Sequence, residues 1–110
     1  MPHGWTTDGV VIEADFTGAH LYNLAAAGCV LNDVYREAER FGIRIDGARV
    51  RATGGFDPAT WSSTGIDYEV DVESEASDEE IERLVRMVDD VAEIPKALRT
   101  GTTVARRRVH

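Results

Sequence analysis

The stretch from Gly18 to Ile43, GAHLYNLAAAGCVLNDVYREAERFGI, constrains the fold more than any other. Between Leu21 and Leu31 it is almost wholly apolar. A helix that is apolar on all sides has to be covered on all sides, so this segment predicts a central, buried helix. Its expected span is His20 to Phe41, with Gly42 at the position that favours a helix end. The second half turns amphipathic, with Val34, Tyr35, Ala38 and Phe41 set against Arg36, Glu37, Glu39 and Arg40. Ala25, Ala26, Ala27 and Gly28 are small enough to admit another backbone at close range, a second copy of the same helix included. Inside this run sits the only cysteine, Cys29. A single thiol there is either a redox centre or a packing residue, and the residues leave both readings open.

The remaining elements follow from periodicity and turn chemistry. Gly9 to Phe16 reads as a strand and Thr17-Gly18 ends it. Asp46-Gly47 marks a turn, after which Ala48 to Thr53 alternates, with Val50 and Ala52 against Arg49 and Arg51. Gly54 to Gly65 is an expected loop carrying Phe56, Pro58 and Trp61. Ile66, Tyr68, Val70 and Val72 then alternate with Asp67, Glu69, Asp71 and Glu73, the pattern of a strand with one buried and one wet face. Arg49 and Arg51 are expected across from Glu69 and Asp71. Ser77-Asp78-Glu79-Glu80 is a capping box opening a second helix, Asp78 to Ala92. Ile94-Pro95 breaks it, Lys96 to Arg99 adds one helical turn, and Thr102 to Val109 reads as a last strand. The order β-α-β-β-α-β defines an α+β fold.

Length and charge bound the function. At 110 residues the chain is expected to form a single domain, residues 1–110, with residues 1–8 as a mobile tail. A chain of this size buries only about 65% of its unfolded surface, so a second subunit adds useful burial. The net charge of −8 argues against nucleic-acid binding, which rests on cationic contacts to phosphate. Arg106-Arg107-Arg108 then reads as a charged edge strand. The acidic run Asp67 to Glu80 reads as a wet strand face plus a helix start. One cysteine forms no intramolecular disulfide. No signal peptide and no apolar run of about 20 residues is evident, so the expectation is a cytoplasmic protein with no membrane contact. No dinucleotide, Walker or HExxH motif is present, and no cofactor or metal is expected.

Three segments, LAAAGCVLNDVYREAERFGIRIDGARV, DYEVDVESEASDEEIERLV and EIPKALRTGTTV, occur in an order that resembles the OsmC/Ohr family, the osmotically inducible and organic-hydroperoxide-resistance proteins. Together they cover Thr17 to Val104. The resemblance implies an intertwined homodimer with active sites at the subunit interface. It also implies a thiol-dependent reduction of hydroperoxides in oxidative-stress defence, with Cys29 as the attacking residue. The alternative it leaves open is a catalytically inactive dimer that binds an apolar ligand or a protein. The second, resolving cysteine of typical members falls where this chain has Ile94, just before Pro95. Typical members also carry an N-terminal arginine, whereas no arginine precedes Arg36 here, and a glutamate near the place of Ala19 and His20. The chain thus resembles a shortened member that needs an external thiol reductant.

Around Cys29 the sequence nominates three further residues. Asp33, four positions on, shares its helical face and raises the thiol pKa if ionised. Arg36 is aligned as well but two turns away, placed to pair with Asp33 instead. His20 is a candidate base, yet nine helical residues point it away from Cys29 on a straight helix. Asn32 beside Asp33 is a polar pair that needs partners. Trp5, Trp61, Tyr22, Phe41 and Phe56 are candidate lining for an apolar pocket, against the plainer reading of loop packing.

Overall fold

The computed structural model describes residues 1–108. Five elements follow one another: α1 (Gly18–Arg40), β1 (Gly47–Phe56), β2 (Ser63–Glu73), α2 (Asp78–Val91) and α3 (Glu93–Thr100). The fold is α+β, with β1 and β2 paired antiparallel, α1 packed on the strand pair, and α2 and α3 packed on α1.

Helix α1 is the centre. Thr17 caps it by accepting the His20 amide N–H through its hydroxyl at 3.1 Å. Its buried residues, Ala26, Ala27, Val30, Asp33, Val34, Glu37 and Ala38, recur at three- and four-residue spacing and so form one face. Val30 and Val34 are fully buried, and with Ala38 they meet Leu84, Val88 and Ala92 to make the core. Val50, Tyr68, Val70 and Val72 from the sheet close it from the other side.

The clean alternation of the second strand appears as expected. Arg49 pairs in register with Asp71, and Arg51 with Glu69. Both strands run further than their alternating cores: β1 continues to Phe56 and β2 starts at Ser63. The extra rungs pass through Gly54 and Gly55, where backbone pairing needs no side-chain pattern. The capping box of α2 is formed by Ser77, whose hydroxyl accepts the Glu80 amide at 3.2 Å.

Several expectations are corrected. Gly9 to Phe16 is not a strand, and neither is Thr102 to Arg108; Val109 lies outside the described residues. A strand requires a neighbouring ladder, and among the described residues the sheet consists of β1 and β2 alone. Both outer segments are left exposed, Val11 at 89% and Phe16 at 87%. The first half of α1 is likewise not covered all round, since Leu21, Ala25 and Gly28 form an open apolar stripe. Phe41, expected inward, is exposed with the Arg40 guanidinium 5.4 Å from its ring centre, while Glu37 takes a buried position.

Residues 1–10 fold back into a turn. The Met1 amine and carbonyl bracket Val10 at 2.7 Å each. Gly9 sits at φ +79°, where a Cβ would lie 2.3 Å from the Met1 carbonyl oxygen, so only glycine fits. His3 anchors the turn to α1, its Nε2 2.9 Å from Asn32 Oδ1 and its Nδ1 3.0 Å from Thr6 Oγ1.

The break after α2 falls at Ala92, two residues earlier than Ile94, and α3 spans eight residues. Pro95 does not break a helix here. It sits in the first turn of α3, where an amide N–H has no helical partner in any case.

Candidate functional site

Cys29 lies half-buried on α1, beside the core face and at the bottom of an open groove of about 1070 Å³. The groove is lined by the extended segment Val10 to Ala14 and by β1 from Ala48 to Ala52. Glu93 and Ile94, the first two residues of α3, close the end nearest the sulfur.

That contact was not visible in the local sequence. The first three amides of a helix have no internal acceptor. In α3 these belong to Glu93, Ile94 and Pro95, and Pro95 has no N–H. Lys96 already donates to the Ala92 carbonyl at 3.1 Å. No side chain caps the helix. The two remaining donors, the N–H groups of Ile94 and Glu93, belong to residues that line the groove with Cys29, and their influence on the thiol favours the thiolate.

Opposing influences are stronger. Burial is the largest and raises the thiol pKa, and the Asp33 and Glu93 carboxylates raise it further. The net direction is upward from the ordinary cysteine value, with the α3 amides holding the rise in check.

The sequence-nominated residues divide. Asp33 and His20 line the same groove as Cys29, and Arg36 does not. Asp33 is 4% exposed, takes the Arg36 guanidinium at 3.2 Å and accepts from Asn32 Nδ2 at 3.1 Å. Arg36 also reaches Glu37 at 3.3 Å, and Arg40 meets Glu37 from its other side at the same distance. The expected Asp33–Arg36 pairing is therefore present, and both buried carboxylates are satisfied. His20 turns to Thr17 through Nδ1 and lies 4.0 Å from Asp15, engaged at the helix start and not at the sulfur.

None of the five aromatic candidates lines the Cys29 groove. Trp61 projects from the β1–β2 loop at 76% exposure. Tyr22 stacks on Phe56 with ring centres 5.4 Å apart. Trp5 packs edgewise on His3. Phe41 borders a separate groove with Ile43 and Met87. The lining is instead mixed, with apolar Ile12, Leu24 and Leu31 beside the cations Arg49 and Arg51 and the acidic Glu13 and Glu93. Among the described residues no cluster of histidine, cysteine or carboxylate side chains could hold a metal, and no helix is long and apolar enough to cross a membrane.

Three helices with a small antiparallel sheet match the fold of OsmC-like proteins. The family model for OsmC-like protein matches residues 13–106, and the chain belongs to that family. Among solved structures, an OsmC-like protein from Mycoplasma pneumoniae matches with a TM-score of 0.71 at 18% identity, over 79% of this chain and 64% of that one. An OsmC-like hydroperoxide resistance protein from Jannaschia sp. matches with a TM-score of 0.66 at 14% identity, over 86% and 67%. A Vibrio cholerae protein assigned to organic hydroperoxide resistance, with captopril in one of its active sites, matches with a TM-score of 0.61 at 21% identity, over 76% and 58%. At these identities the likeness is one of fold. The chain thus spans between 58% and 67% of the length of these three structures. No curated protein matches it.

Proposed function

We propose that this OsmC-family chain is a one-cysteine, thiol-dependent hydroperoxide reductase that works as a homodimer in the cytoplasm. The observation that carries the reading is Cys29 in an open groove of mixed polar and apolar lining, beside the start of α3, whose first amides favour its thiolate. In the reaction the Cys29 thiolate attacks the distal peroxide oxygen and the O–O bond breaks. The leaving alkoxide takes a proton to become an alcohol, and the sulfur becomes a sulfenic acid, oxidised by two electrons. An external dithiol attacks that sulfur, water leaves, and the second thiol displaces the Cys29 thiolate as the reductant closes its own disulfide. Ile94 at the place expected for a resolving thiol is why the reductant has to be external.

Support for the dimer comes from surfaces a lone chain leaves open. They are the Leu21, Ala25 and Gly28 stripe on α1, the unpaired segments Val11 to Phe16 and Thr102 to Arg108, and the outer edges of a two-stranded sheet.

One observation favours a second reading. Burial and two carboxylates raise the thiol pKa, which suits a silent thiol in a dimer that binds an apolar ligand or a protein. Steady-state consumption of cumene hydroperoxide with dithiothreitol separates the two. Turnover that disappears in Cys29→Ser supports the reductase. Equal rates in the two proteins support the silent form.

A further inference from the structure

The cluster of Tyr68, Asp89 and Arg99 lies outside the groove and joins three elements at one carboxylate. Tyr68 on β2 donates its hydroxyl to Asp89 Oδ1 on α2. Arg99, in the last turn of α3, donates to the same oxygen at 2.8 Å and to the Asp89 backbone carbonyl at 3.1 Å. These two bonds fix the far end of α3, while Pro95 is buried near the other end. Only Ala92, extended at φ −60° and ψ 120°, joins α3 to α2; α3 also packs against α1, and the Arg99 bonds secure the end of the helix away from the Ala92 joint. The same helix presents the Glu93 and Ile94 amides to Cys29.

We infer that Arg99, anchored through Asp89 and Tyr68, is a positioning residue for Cys29: it holds α3 at the angle that directs the Glu93 and Ile94 N–H groups at the sulfur. The inference rests on the reading of Cys29 as a reactive thiol. Other groups around the sulfur stay in place when Arg99 is changed. They are Asp33 on α1, which remains paired with Arg36, Arg49 and Arg51 on β1, and His20 at the start of α1; the Glu93 carboxylate moves with α3, but its opposing influence on the thiol is smaller than that of the amides that move with it. Arg99 itself is half-exposed and is not among the residues that line the groove. Its loss therefore acts on the thiol through the helix and not by direct charge.

The test is the pH dependence of iodoacetamide alkylation of Cys29 in the folded full chain. Arg99→Gln and Asp89→Asn are expected to shift the alkylation midpoint upward and to slow the rate at pH 7.5 by about three- to tenfold, the range a helix terminus contributes. Arg99→Lys, which keeps the charge but not the forked contact, is expected to restore part of that loss. Tyr68→Phe retains the Arg99–Asp89 pair and is expected to give a smaller shift in the same direction; it serves as the reading should the other variants not fold. A midpoint unchanged in folded variants, even with a lowered Tm, overturns the inference, because a purely structural role would move stability alone. The two failures are distinct. Absence of peroxide turnover in the wild type sinks the redox reading while a shifted alkylation midpoint keeps the positioning role. Turnover with an unmoved midpoint does the reverse.

Discussion

Ile94→Cys converts the contact between α3 and Cys29 into a chemical readout. Ile94 and Cys29 line the same groove, and the Ile94 backbone N–H is close enough to favour the Cys29 thiolate. A thiol placed at position 94 is expected to attack a Cys29 sulfenic acid, with loss of water, and form a disulfide. The closed loop runs from residue 29 to residue 94. The chain-entropy relation for such a loop gives about 4 kcal/mol of stabilisation over the reduced form of the same variant. At roughly 4 °C or more of Tm per kcal/mol in a domain of this size, the oxidised form should melt at least about 10 °C above the reduced one. The assay is a non-reducing intact mass after one equivalent of cumene hydroperoxide, with thermal melts before and after reduction. Two free thiols in the treated native protein, or a disulfide that lowers Tm, would refute the placement of α3 over Cys29.

Other consequences are more local. Val34→Ala removes two methyl groups at a fully buried position and should cost about 2 kcal/mol, lowering Tm by about 10 °C in a thermal melt. Asp33→Asn takes away a carboxylate that opposes the thiolate, so the alkylation midpoint of Cys29 should fall and the rate at pH 7.5 rise. The Tyr68 hydroxyl has its pKa pushed above the ordinary 10.0, first by burial and then by Asp89. Its contribution to stability is therefore complete below pH 10 and lost as pH rises beyond it, so urea midpoints should decline above pH 10 in the wild type and less in Tyr68→Phe. Asp89 is lowered by the same contacts, so its contribution holds above the ordinary carboxylate range and is lost as pH falls through its depressed value.

What the sequence reveals here divides by distance along the chain. The second-strand alternation, the Ser77 cap and the Arg49–Asp71 and Arg51–Glu69 register are all consequences of local spacing, and all appear in the structure. The Asp33–Arg36 pair, three residues apart on one helix face, was equally readable. Gly9 to Phe16 and Thr102 to Arg108 fail for the opposite reason. Their composition suits strands, but a strand is made by its neighbour, and local pattern does not supply one. The site was hidden in the same way. His3 meets Asn32 across 29 positions, and the α3 amides meet Cys29 across the whole of β1, β2 and α2. The available clue was the family resemblance, which puts the resolving thiol of typical members at the place of Ile94, next to Pro95 in the first turn of α3. Glu37 was misread because a charged residue on an amphipathic helix usually faces water, whereas here Arg36 and Arg40 meet it from two sides and allow it inward.

Trapping the oxidised sulfur tests the central claim most directly. Native wild-type protein is given one equivalent of cumene hydroperoxide in the presence of dimedone, and the modified peptide is mapped. The account predicts a single adduct on Cys29 that forms without denaturant. An unmodified Cys29 that becomes reactive only after unfolding would contradict it.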